Sequence, residues 1–125
     1  MRLVGPSRQP LRDELDVMRE KIDFSRAMVL EIGCGAAIRT EQIALYTDVE
    51  SIVAAEIDAV AHSKNLGKQV KKVKFESFGA QQIPYDSQAF DVVIMLKSLH
   101  HVPGAMMRQS LGEIHRVLKK GGLAY

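Results

Sequence analysis

Residues 30–39 read Leu-Glu-Ile-Gly-Cys-Gly-Ala-Ala-Ile-Arg. An apolar run over residues 27–32 ends on Gly33, and a second glycine, Gly35, follows one residue later. Residues 37–46 then set Ile38, Ala44 and Leu45 among the polar Glu41 and Gln42, a helical pattern. The order describes a buried strand that turns sharply into a helix, with backbone amides of the turn facing outward. Turns of this kind hold nucleotides of several sorts, so the remaining sequence has to choose the ligand.

The same unit repeats along the chain. Residues 51–56 read as a second strand, 59–67 as a second helix and 73–77 as a short third strand. Phe-Asp-Val-Val-Ile-Met-Leu at 90–96 is the clearest buried strand. After Pro103, Met107, Leu111, Ile114 and Leu118 fall on one helical stripe, with Lys119 and Lys120 in the last turn and Gly121 and Gly122 as the stop. Leu123, Ala124 and Tyr125 begin a fifth strand. Ahead of the glycine turn, Pro10 and the spacing of Leu11, Leu15, Met18 and Ile22 predict a helix over residues 10–23. Strands alternating with helices predict a parallel sheet with right-handed crossovers, buried on both faces.

Length and composition agree with one soluble α/β domain over residues 1–125. The chain has 125 residues, 46% hydrophobic and 26% charged, and no apolar stretch of membrane-spanning length. A single cysteine, Cys34, has no partner for an internal disulfide, and no signal peptide is apparent, which points to the cytoplasm. The net charge of +2 is too small to indicate a nucleic-acid binder, and the cluster Lys64, Lys68, Lys71, Lys72 and Lys74 reads as solvated surface.

A dinucleotide turn would run Gly-x-Gly-x-x-Gly/Ala, but the third small position is occupied by Ile38, which argues against close helix packing there. Another pattern fits better. Glu31-Ile-Gly33-Cys34-Gly35-Ala-Ala37 resembles the first motif of class I S-adenosylmethionine-dependent methyltransferases, acid-x-Gly-x-Gly-x-Gly. Glu56, closing the second strand, stands where that family places an acid on both ribose hydroxyls, and Ile57 where it places an apolar residue beside the adenine. IPYDSQAFDVVIMLKSLHHV (83–102) and IHRVLKKGGLAY (114–125) look like the fourth-strand segment and the following helix and turn of its type 11 small-molecule group.

The resemblance implies a Rossmann-like open sheet of strand order 3-2-1-4-5 with helices on both faces. Strands 6 and 7, which usually follow and carry much of the acceptor pocket, are not represented in the chain. It implies S-adenosylmethionine as cofactor, S-adenosylhomocysteine as product, a small-molecule methyl acceptor and no metal. The implied cofactor residues are Glu31, Gly33, Cys34, Gly35, Ala37, Glu56, Ile57, Ala80 and Gln81, with the backbone carbonyls of Leu96 and Lys97. Two positions depart from the pattern: Ala37 replaces the third glycine, and Gly79 stands where the family usually has an acid for the adenine amino group.

His100 and His101 follow the fourth strand and are candidate bases for an acceptor that arrives protonated; capping the loop is the competing role. Cys34 has no adjacent base and is no candidate nucleophile. Asp91 reads as structural. Two alternatives to methyl transfer stay open: a truncated or degenerate cofactor-binding domain that acts through protein contacts, and a nicotinamide-dependent oxidoreductase. An exposed fourth or fifth strand would favour a homodimer through the sheet edge.

Overall fold

The computed structural model describes residues 1–3, 14–95 and 104–125. Its elements are β1 (Arg2–Leu3), α1 (Glu14–Lys21), β2 (Met28–Ile32), α2 (Ile38–Tyr46), β3 (Ser51–Ala55), α3 (Ala59–Leu66), β4 (Val73–Glu76), β5 (Phe90–Ile94), α4 (Gly104–Val117) and β6 (Leu118–Ala124). Residues 10–13 of the first expected helix lie outside the described residues.

The six strands form one parallel sheet in the order β1-β6-β5-β2-β3-β4. The five strands expected from the sequence take the order expected of them. The addition is β1, which pairs outside β6 through Arg2 with Leu123 and Leu3 with Ala124. The fifth strand is therefore not the sheet edge, as the sequence suggested; two residues are too short a run to carry a periodicity signal.

Strand side chains alternate between two buried faces, which is why β2, β3 and β5 read as almost continuous apolar runs. Val29 joins Met18 of α1, Ile43 of α2, Ile52 and Ile94 in one layer. Leu30 and Ile32 join Val53, Phe90 and Val93 with Ile114 and Val117 of α4 in the other. Asp91 ties the central strands together. Its Oδ2 accepts the Met28 amide at 2.8 Å, and its Oδ1 lies 3.3 Å from the Lys119 ammonium.

The C-terminal helix ends earlier than the glycine pair suggests. Leu118 already pairs with Phe90, while the next partner of β5, Val92, pairs with Leu123. Residues 119–122 therefore form an excursion within β6, not the last turn of α4, so Lys119 and Lys120 belong to the strand. Gly121 sits at φ +79, and Gly122 is pressed against the backbone. A Cβ at Gly122 would lie 2.8 Å from the Lys119 carbonyl and 3.1 Å from that of Asp91. Gly122→Ala is expected to cost about 1–3 kcal/mol in chemical denaturation, because neither carbonyl can move without shifting the sheet. An unchanged midpoint would show that the excursion is soft.

Candidate active site

Parallel strands bring their carboxyl ends to one edge, and the register sets the site there. Ile32 pairs with Ala55, so the turn that follows β2 lies beside the residues that follow β3. The Gly33 and Cys34 amides both donate to the Ala55 carbonyl, at 2.8 and 3.0 Å. Gly33 and Gly35 take φ values of +74 and +56, which a side chain would strain, and a Cβ on Gly35 would meet nothing within 4 Å. The turn is thus open to close approach. Ala37 closes it at φ +63 and leads into α2 without a side-chain cap. This explains why glycine is the usual third residue of the motif: alanine adopts the left-handed region at a cost of roughly 1 kcal/mol.

Glu56 lies across from the turn. Its Oε1 accepts the Gly35 amide at 2.8 Å and its Oε2 the Asp58 amide at 2.9 Å. Each carboxylate oxygen has a second lone pair free for a further donor, so the side chain is aimed and still able to bind a diol. Asp58, unremarked in the sequence reading, caps α3 by accepting the Ala61 amide at 3.1 Å. Ile57 stands between these two acids with 67% of its surface exposed, an exposed apolar plate at the sheet edge.

Gly79 adjoins that plate. A Cβ there would come within 3.3 Å of Ile57 Cγ2 and 3.0 Å of Gln81 Oε1, so Gly79 packs directly beside Ile57 and the tip of Gln81. Ala80 is buried in the second core layer. Gln81 is held toward α4, its carbonyl accepting Gln109 Nε2 at 2.8 Å. The loop beyond is pinned by Arg116, which donates to the Ile83 and Tyr85 carbonyls at 2.8 and 2.7 Å and pairs with Glu113, while Glu113 accepts the Ile83 amide. The guanidinium and that amide hold the Glu113 carboxyl below its ordinary range.

Glu31 sits under the turn and not on its open side. It is 4% exposed and accepts a hydrogen bond from the Thr40 hydroxyl of α2. Burial lifts its carboxyl to about 7, against the opposing pull of Thr40 and Arg39. Cys34 is half-buried, and burial together with Glu31 and Glu56 pushes its thiol up to about 12, which removes it as a nucleophile. Leu96, Lys97, His100 and His101 lie outside the described residues.

Two side chains missed by the sequence reading hold the turn from α3 and just beyond it. Asn65 is 1% exposed, and its Nδ2 donates to the Gly35 carbonyl at 2.8 Å. Lys68 donates to the Ala36 carbonyl at 2.5 Å and pairs with Glu41 at 3.1 Å, so it is not the free surface lysine the cluster implied. Nothing in the local sequence marks either residue, because the carbonyls they bind lie 30 and 32 residues away. Ile38 is also placed differently from expectation: at 66% exposure it points away from the strand, and so it does not decide the ligand by packing. Among the described residues no cluster of His, Cys, Asp and Glu could hold a metal, and no helix is long and apolar enough to cross a membrane.

The open glycine turn, the aimed Glu56 carboxylate and the exposed Ile57 side chain share the carboxyl end of the sheet. Comparison with known proteins identifies the family. Residues 30–125 match the methyltransferase domain family. The chain is 33% identical over 100 residues to 27-O-demethylrifamycin SV methyltransferase of Amycolatopsis mediterranei, covering 75% of this chain and 35% of that protein. It is 30% identical over 122 residues to ubiquinone biosynthesis O-methyltransferase of Maricaulis maris, covering 96% and 47%. The fold matches that of YcgJ from Bacillus subtilis with a TM-score of 0.75 at 24% identity, over 87% of this chain and 48% of that one. The chain thus spans less than half the length of these relatives. None of them supports a nicotinamide-dependent oxidoreductase. The chain belongs to the class I S-adenosylmethionine-dependent methyltransferases of the type 11 group.

Proposed function

We propose that this chain is the cofactor-binding part of an enzyme that transfers a methyl group to a small-molecule acceptor. The observation that carries the reading is Glu56, fixed by the Gly35 and Asp58 amides with lone pairs to spare beside an exposed Ile57. S-adenosylmethionine supplies the electrophilic methyl group. The residues of this chain do the positioning: the Gly33–Gly35 turn admits the tail, Glu56 takes the ribose hydroxyls, and the exposed Ile57 side chain, beside Gly79, offers the adenine an apolar face. Holding one reactant in a fixed orientation is the main contribution a protein makes to a displacement of this kind.

The two relatives named above are O-methyltransferases by name, which supports a hydroxyl acceptor. His100 or His101 would take the hydroxyl proton. The test is S-adenosylhomocysteine formation with a panel of phenols and hydroquinones. Turnover with any of them supports the reading; binding of the cofactor with no turnover favours the alternative, a binding domain that acts through protein contacts.

Gly79 yields a separate expectation. Gly79→Asp places a carboxylate beside Ile57, where only the mobile tip of Gln81 and the Ile57 methyl need give way. Affinity for S-adenosylhomocysteine should rise by about tenfold, the value of one added charged hydrogen bond. Equal or weaker affinity would place the adenine amino group elsewhere.

A further inference from the structure

The geometry points to Asn65 as a positioning residue of the cofactor turn, one that fixes which way the peptide between Gly35 and Ala36 faces; the inference rests on the proposed cofactor site. Asn65 is wholly buried on α3, 30 residues from the carbonyl it binds. That carbonyl can only accept, so the amide must present Nδ2 to it, with Cys34 Sγ 3.7 Å away as a weak second partner. Its own Oδ1 is left buried with no partner among the described residues. Packing alone would be served better by leucine, of similar volume and with no oxygen to strand. What the amide contributes is direction.

The peptide needs that contribution. Gly35, at φ +56 with open space around its Cβ position, imposes little constraint of its own on the following peptide plane. In a trans peptide the N–H points opposite to the C=O. Drawing the Gly35 carbonyl toward α3 therefore turns the Ala36 N–H away from α3, and this amide has no backbone partner among the described residues. Lys68 pulls the next carbonyl, that of Ala36, to the same side. The Gly35 N–H is already committed to Glu56. Asn65 thus leaves one free donor, the Ala36 amide, on an exposed residue of the turn that receives the amino-acid tail.

The experiment is calorimetric titration with S-adenosylhomocysteine of wild type, Asn65→Leu and Asn65→Ala, paired with thermal melts and with the ¹⁵N–¹H resonance of Ala36. Asn65→Leu should keep or raise the melting temperature while weakening binding at least tenfold and shifting the Ala36 resonance in the free protein. A purely structural side chain would not separate affinity from stability in this way. Should the leucine variant fail to fold, Asn65→Ala loses the same hydrogen bond with no added bulk, and the same loss of affinity is expected of its folded fraction. Affinity within twofold of wild type in a folded variant overturns the role of Asn65 and leaves the cofactor site standing. Absence of binding by folded wild type overturns the cofactor site, and this inference with it.

Discussion

Glu56→Ala is expected to weaken S-adenosylhomocysteine binding by about ten- to a hundredfold. Two losses combine. The ribose hydroxyls lose a charged acceptor, and hydrogen bonds to charged groups are worth about 1.5–3 kcal/mol; each 1.4 kcal/mol is roughly a factor of ten in affinity. The Gly35 and Asp58 amides also lose the oxygens that fix them, at 2.8 and 2.9 Å, so the turn and the start of α3 are no longer held at a set distance. Glu56→Gln should fall nearly as far, because its amino group must face one of two backbone donors. Glu50→Ala removes the same charge from an exposed site in the loop before β3 and should leave affinity unchanged. Calorimetry on the three variants reads all of this, and wild-type affinity in Glu56→Ala would remove Glu56 from the site.

Stability should fall as pH rises from about 5 to 7, and Glu31 is the reason. The unfolded chain releases the Glu31 proton near the ordinary value of 4.5, whereas burial holds it in the folded protein to about 7. Between those values the folded state carries a proton that the unfolded state has lost. Unfolding then releases a proton, and raising the pH favours the unfolded chain. Below the lower value both states are protonated and the effect vanishes; above the upper value both are ionised and the full cost of the buried carboxylate persists. At roughly 1.4 kcal/mol per pH unit the window is worth about 3 kcal/mol. Glu31→Gln keeps an acceptor for the Thr40 hydroxyl and cannot ionise. Its denaturation midpoint should exceed that of wild type at pH 8 and converge with it near pH 4.5. Parallel stability curves for the two proteins would show that folding does not change the proton affinity of Glu31.

The central strands were legible because both faces of the sheet are buried: Val29, Leu30 and Ile32 of β2, and Val92, Val93 and Ile94 of β5, serve opposite layers with apolar side chains. The glycine turn was legible because the backbone itself demands Gly33 and Gly35. Other features depended on partners far along the chain. Asn65 and Lys68 act on carbonyls 30 and 32 residues away, and no local pattern marks a side chain for such a contact. The end of α4 was misplaced for a related reason. Lys119, Lys120 and the two glycines are good helix-stop chemistry, but pairing of Leu118 with Phe90 claims the chain first. Ile38 taught the reverse lesson. Its bulk was read as a packing clash, and the turn of Ala37 points it outward instead.

The most direct measurement is calorimetric titration of this 125-residue chain with S-adenosylhomocysteine. Saturable one-to-one binding is the result expected from a turn, a carboxylate and an exposed apolar side chain already assembled at the ends of β2 and β3. A folded sample that shows no binding heat at any temperature tried, and no shift in its melt with the ligand present, would contradict the assignment of that edge as a cofactor site.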